Sequence, residues 1–285
     1  SAVRSGAKSF NETVAPKIGK AVNDATESAG KAIADGSDKI ASVGKNAKDT
    51  VMNQLDVNHD GNIDIVDIIT LGLKTPGIKV NREQFLKKEL TIHYDEETVK
   101  KAIAKTPVAA KIPAEDIDKI ADAVIQYERY FVSGISTALG APGGAAMVAT
   151  IPADIIQYYG YMLRAAQKLM YLYGFPQIVS EDDETQIDSA TMNLLVVAMG
   201  VMFGVAGANN AVKAMAKALG NGVEKQLMRR ALTKGTIYPI VKSIAKWFGV
   251  RMTKEVFSGF FKKAIPVVGG VIGGGITYVS FKPCC

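Results

Sequence analysis

Three stretches of this chain carry no charged residue: Val132–Ala153, Ser189–Val212 and Ala264–Phe281. Each approaches the roughly 20 residues that an apolar helix needs to cross a bilayer. Such runs must be buried, in a protein core or in lipid. The first and last argue against spanning. Val132–Ala153 holds Gly134, Gly140, Gly143, Gly144, Pro142 and Pro152, and Ala264–Phe281 holds five glycines, each costing a helix about 0.8–1 kcal/mol relative to Ala. Ser189–Val212 is the best candidate span, but Asn193, Asn209 and Asn210 offset much of its apolar gain. Gly200-x-x-x-Gly204 and Gly269-x-x-x-Gly273 would let helices approach closely in lipid or in a tight core. The expectation is buried core helices, with conditional membrane insertion as the alternative.

The rest of the chain reads as helix after helix. Phe10, Val14, Ile18, Val22, Ala25, Ala29 and Ile33 recur at spacings of three or four and form a helical stripe. Asp35-Gly36 breaks it and Ser37 can cap a second helix. Ile65, Ile68, Ile69 and Leu71 mark another, stopped by Thr75-Pro76-Gly77. Asn81 and Asp95 are predicted N-caps, the first with Gln84 three residues on. Pro113 can open a long helix carrying Ile117, Ile120, Ala121, Val124 and Tyr127. Pro152 is placed in the first turn of a helix that runs towards Tyr173, with Gly174 as its C-cap. The acids of Glu181–Glu184 suit a following helix N-terminus. No sustained period-two pattern is present. The predicted class is all-α: a compact multi-helix domain with Gly-rich buried helices, preceded by an EF-hand-like helix-loop-helix.

That helix-loop-helix surrounds residues 56–67, D-V-N-H-D-G-N-I-D-I-V-D. Calcium takes six to eight oxygen ligands, and a twelve-residue loop supplies them from positions 1, 3, 5, 7, 9 and 12. Those positions hold Asp56, Asn58, Asp60, Asn62 (through its carbonyl), Asp64 and Asp67. Gly61 stands at position 6, where the loop turns sharply. Ile63 at position 8 is apolar, as a residue tucked beneath the loop should be. Position 12 is Asp, where the usual residue is a bidentate Glu one methylene longer, so the loop resembles the dockerin-type variant. Calcium is the expected ion, with magnesium as the alternative. The expected division is 1–78 for the N-terminal helices and loop and 79–285 for the helical domain.

The net charge of +6 is unevenly spread. Residues 200–285 carry thirteen Lys/Arg against Glu224 and Glu255, so this third is about +11 and the remainder about −5. Lys213 and Lys217, Lys225 and Arg229, and Lys242 and Lys246 are pairs four apart, each on one helix face. Ile240, Val241, Ile244 and Phe248 form the apolar side near the last pair, with Trp247 beside it. Phe257, Phe260 and Phe261 adjoin Lys262 and Lys263. Basic residues with Trp and Phe on amphipathic helices suit anionic membrane, so Lys242, Lys246, Trp247, Phe260, Phe261, Lys262 and Lys263 are the candidate membrane-facing set. No nucleic-acid motif accompanies the charge.

An enzyme has little to stand on. The only histidines are His59, inside the loop at a non-ligand position, and His93, while Cys284 and Cys285 are the only cysteines. Triads built on His are therefore disfavoured, and no phosphate-binding glycine motif follows a strand. A carboxylate-only hydrolase through Glu128 or Asp154 is the enzymatic alternative. With no framework of spaced cysteines and no visible signal peptide, a cytoplasmic, peripherally membrane-associated protein is expected.

G-A-P-G-G-A-A-M-V-A-T-I-P-A-D-I-I-Q-Y-Y-G-Y from Gly140 to Tyr161 is followed by K-L-M-Y-L-Y-G-F-P from Lys168 to Pro176. Later comes I-P-V-V-G-G-V-I-G-G-G-I-T-Y from Ile265 to Tyr278. Together these resemble the EcsC family, over about residues 80–281. The resemblance implies a helical fold and a bacterial, membrane-related setting, and it brings no catalytic residues. The functional expectation is a non-catalytic, calcium-binding helical protein that meets an anionic lipid surface or a transporter or secretion partner. A carrier of lipid or another apolar ligand is the second reading.

Overall fold

The computed structural model describes residues 55–140, 146–180, 187–220, 230–249, 277–279 and 281–285, with the backbone alone at 136–140, 146–155, 219 and 220. Seven helices are named here: α1 (Ile65–Lys74), α2 (Arg82–Leu90), α3 (Glu96–Ala104), α4 (Ala114–Gly140), α5 (Ala146–Leu172), α6 (Ser189–Met202) and α7 (Ala208–Gly220). Residues 238–249 form a further helix. No strand occurs among the described residues, and the protein is all-α.

Local chemistry sets most helix ends. The Asn81 side chain accepts from the Gln84 N–H, and the Asp95 side chain from the Thr98 N–H, as predicted. α6 is capped by Asp188, whose carboxylate accepts from the Ala190 and Thr191 N–H groups; the acidic run predicted to precede it lies outside the described residues. At the end of α5, Gly174 takes φ +92°. Its N–H donates to the Tyr171 carbonyl and that of Phe175 to the Met170 carbonyl, the paired bonds of a Schellman ending. The beginning of α5 differs from expectation. The helix starts at Ala146, so Pro152 sits in its second turn, and the helix formers Ala146, Met147 and Ala149 extend it backwards past the proline.

The longest charge-free candidate, Ser189–Val212, is not one helix. α6 stops at Met202, where Gly204 at φ +66° and Gly207 at φ +87° turn the chain into α7, which packs back on α6. Among the described residues, no helix is long and apolar enough to cross a membrane. Gly200 and Gly204 also part company. Gly204 makes the turn, whereas Gly200 lets the 238–249 helix close in: a Cβ there would lie 2.7 Å from Ile244 Cδ1.

α5 is the central helix, with α1, α2, α4 and α6 all packed on it. Ile65, Ile68, Ile69 and Leu73 of α1 are buried in the same core as Met162 and Leu163 of α5. Each such side chain contributes about 1.5–3 kcal/mol relative to exposure. The α1–α5 crossing is tight because two glycines meet. A Cβ on Gly72 would lie 3.3 Å from the Gly160 Cα and 3.1 Å from Leu163 Cδ1. The helix leaving the 56–67 loop thus finds its apolar partner on α5. The N-terminal stripe from Phe10 to Ile33, the helix after Ser37 and residues 250–276 lie outside the described residues.

Candidate functional site

The loop 56–67 is built by its own acceptors. Asp56 accepts from the Asp60 N–H through Oδ1 (3.2 Å) and from the Gly61 N–H through Oδ2 (2.8 Å). Asn58 Oδ1 also accepts from the Asp60 N–H, and Asp60 Oδ1 from the Asn62 N–H. Gly61 takes φ +84° and His59 φ +56°, so the turn at position 6 is where a glycine is favoured. Ile63 is buried beneath the loop. Asp64 and Asp67 form a capping box at the start of α1. Asp67 also accepts from the Val57 N–H (3.1 Å), joining the end of the loop to its beginning. Burial pushes the Asp67 carboxyl above its ordinary range, against the N–H groups of Asp64 and Val57 that pull it down.

All six predicted donors therefore lie on one turn. As they stand, no three acidic, His or Cys side chains converge as a metal cage among the described residues; the carboxylates hold loop N–H groups instead. The donor set nevertheless fits a hard cation, since every candidate ligand is an oxygen. A carboxylate that accepts two N–H bonds keeps about half of its roughly four lone-pair sites. Asp56, Asn58, Asp60, the Asn62 carbonyl, Asp64 and Asp67 are the groups that would hold the ion.

Beyond α1, the chain is stitched to α5. Gln167, fully buried, donates to the Ile78 carbonyl (3.0 Å) and accepts from the Val80 N–H (3.1 Å). The Tyr171 hydroxyl donates to the Val80 carbonyl (3.2 Å). Arg164 Nη1 donates to the Gly77 carbonyl (3.2 Å). Arg82 follows, its guanidinium donating to the carbonyls of Phe175, Ala102, Ile103 and Lys105.

Arg164 also belongs to an ion cluster between α4 and α5 that sequence reasoning missed. Glu128 has no exposed surface, and its Oε1 accepts from Arg164 Nε (3.0 Å) and Lys168 Nζ (2.6 Å). Its Oε2 has no partner. Burial lowers the Lys168 pKa, opposed by the Glu128 charge. Arg164 lies 5.5 Å from the Phe131 ring centre and 4.9 Å from that of Tyr161, and Lys168 lies 5.7 Å from that of Tyr127. The signal was present in outline: Glu128 falls four residues after Val124 on the apolar side of its helix, and Arg164 and Lys168 are four apart. The Cys285 thiol, pushed up to about 12 by burial first and then by Cys284 and Glu128, is held protonated, the reverse of an activated nucleophile.

Of the candidate membrane-facing residues, Lys242 and Lys246 are exposed on the 238–249 helix. Trp247 is half-buried, its ring centre 5.0 Å from that of Phe248 and 6.3 Å from that of Phe203. Phe260, Phe261, Lys262 and Lys263 lie outside the described residues, and the side chain of Asp154 is likewise not described. No family model, curated protein or solved structure matches this chain.

Proposed function

We propose that this protein is a non-catalytic, calcium-responsive helical protein of the EcsC type that associates peripherally with anionic membrane. The observation that carries the reading is the continuity from loop to core. The oxygen donors Asp56, Asp60, Asp64 and Asp67 lead straight into α1, and α1 is packed on α5 through Gly72 and Gly160. A bound divalent cation would neutralise the gathered carboxylates. The chain's own part is to hold them on one turn and to join that turn to α5.

The uneven charge, concentrated in residues 200–285, supports an anionic partner. The test is thermal unfolding of the full chain with calcium, with magnesium and with chelator. Calcium should raise the melting temperature of the wild type and leave the Asp56→Ala/Asp60→Ala variant unmoved. A wild type that melts identically with calcium and with chelator would overturn the metal reading.

A further inference from the structure

We infer that the membrane-binding face is an aromatic and cationic patch on α2, α4 and α5, centred on Tyr127 and Phe131, and that its occupant is an anionic phospholipid surface. The inference rests on the membrane association proposed above and gives it a location. Tyr127 is 54 % exposed and Phe131 40 %. They lie one turn apart on α4 with stacked rings, 6.1 Å between centres. Cations edge both rings. Lys88 of α2 lies 6.0 Å from the Tyr127 ring centre, Lys168 approaches the same ring, and Arg164 lies against Phe131.

Rings that are apolar in body and polar at one edge, beside basic side chains with long apolar stems, suit the boundary between headgroups and acyl chains. The charge agrees. Lys88, Arg164 and Lys168 face Glu89 and the fully buried Glu128, which leaves one positive charge in excess. Lys88 reaches furthest into solvent, with its side chain 75 % exposed. The same charge disfavours other occupants. A second copy would bring like charges together. Residues 1–54, with eight Lys/Arg and six Asp/Glu, and residues 250–276, with four Lys/Arg and one Glu, are also net positive. The C-terminal candidate is less suited to insertion, because Trp247 is already packed on Phe203 and Phe248.

The experiment is co-sedimentation of the full chain with phosphatidylglycerol vesicles and with phosphatidylcholine vesicles. It compares wild type, Tyr127→Ser/Phe131→Ser and Lys242→Ala/Lys246→Ala. Wild type should pellet with the anionic vesicles only. The aromatic variant should partition about tenfold more weakly, and the lysine variant should match wild type. Tyr127→Trp should show quenching by brominated phosphatidylglycerol beyond that of Trp247 alone. If the lysine variant loses binding and the aromatic variant keeps it, the patch is wrong and the membrane reading survives. If wild type pellets with neither vesicle, the membrane reading falls, and the patch with it. If the aromatic variant melts well below wild type, the patch is an internal contact and the inference is overturned, with the acidic run Glu181–Glu184 as the complementary segment.

Discussion

Lys168 Nζ lies 2.6 Å from Glu128 Oε1, and Arg164 Nε reaches the same oxygen at 3.0 Å, while Glu128 Oε2 is buried without a partner. Two cations thus bond one edge of a carboxylate that has no access to water. Removing one member of a buried pair is costly because the remaining charge keeps its desolvation penalty. Glu128→Gln is expected to destabilise the fold by about 3 kcal/mol, the low end of the range for such pairs, since both cations still reach solvent. Urea unfolding of Glu128→Gln, Lys168→Met and the double variant checks this. The double variant should be less damaged than the two single effects added together.

Gly200 against Ile244 is the tightest side-chain approach to a helical glycine here. A Cβ would meet Ile244 Cδ1, Cγ2 and Cγ1 at 2.7, 2.9 and 3.0 Å. Gly200→Ala gains helix propensity, worth about 1 kcal/mol, but overpacking costs about 1–3 kcal/mol. The net expectation is a lower melting temperature, partly recovered by Ile244→Val, which deletes the nearest methyl. Equal melting of wild type and Gly200→Ala would show that the 238–249 helix moves away freely.

Two tyrosines should titrate late. Burial first, and then the neighbouring carboxylate of Asp116 or Asp118, pushes Tyr94 and Tyr173 up to about 12. Each hydroxyl donates to that carboxylate. In the unfolded chain both return to about 10. The unfolded state therefore releases these protons first as pH rises. The stability they contribute is complete below about pH 10 and is lost between about 10 and 12. Absorbance of tyrosinate against pH should show a late component that Tyr94→Phe and Tyr173→Phe each reduce. A single step near the ordinary tyrosine value would refute this.

Arg82 binds four carbonyl groups around the end of α3 and the chain after α5. A lysine carries the charge but lacks the planar fork that reaches several acceptors at once. Arg82→Lys is expected to cost about 2 kcal/mol through carbonyls left unsatisfied. Amide hydrogen exchange should show the loss in α3 first, with α5 little changed. A variant with wild-type exchange in α3 would mean that solvent satisfies those carbonyls.

What the sequence by itself determined about this protein is whatever is encoded within a few residues. The caps Asn81 and Asp95, the ending at Gly174, and the donors of 56–67 were all legible, because a cap or a turn needs only a side chain and its near neighbours. The all-α class followed from the same local periodicity. What only the tertiary structure decided are relationships across long separations. Gly72 meets Gly160, Glu128 meets Arg164 and Lys168, and Gln167 holds Ile78 and Val80. Nothing local marks these partners, since each depends on which helix faces become neighbours. The same holds for Ser189–Val212. Its composition allows one apolar helix, yet Gly204 and Gly207 turn the chain, because α6 can bury its small face at Gly200 against Ile244. Burial is a property of pairs of surfaces, and a single strip of sequence shows only one of the two.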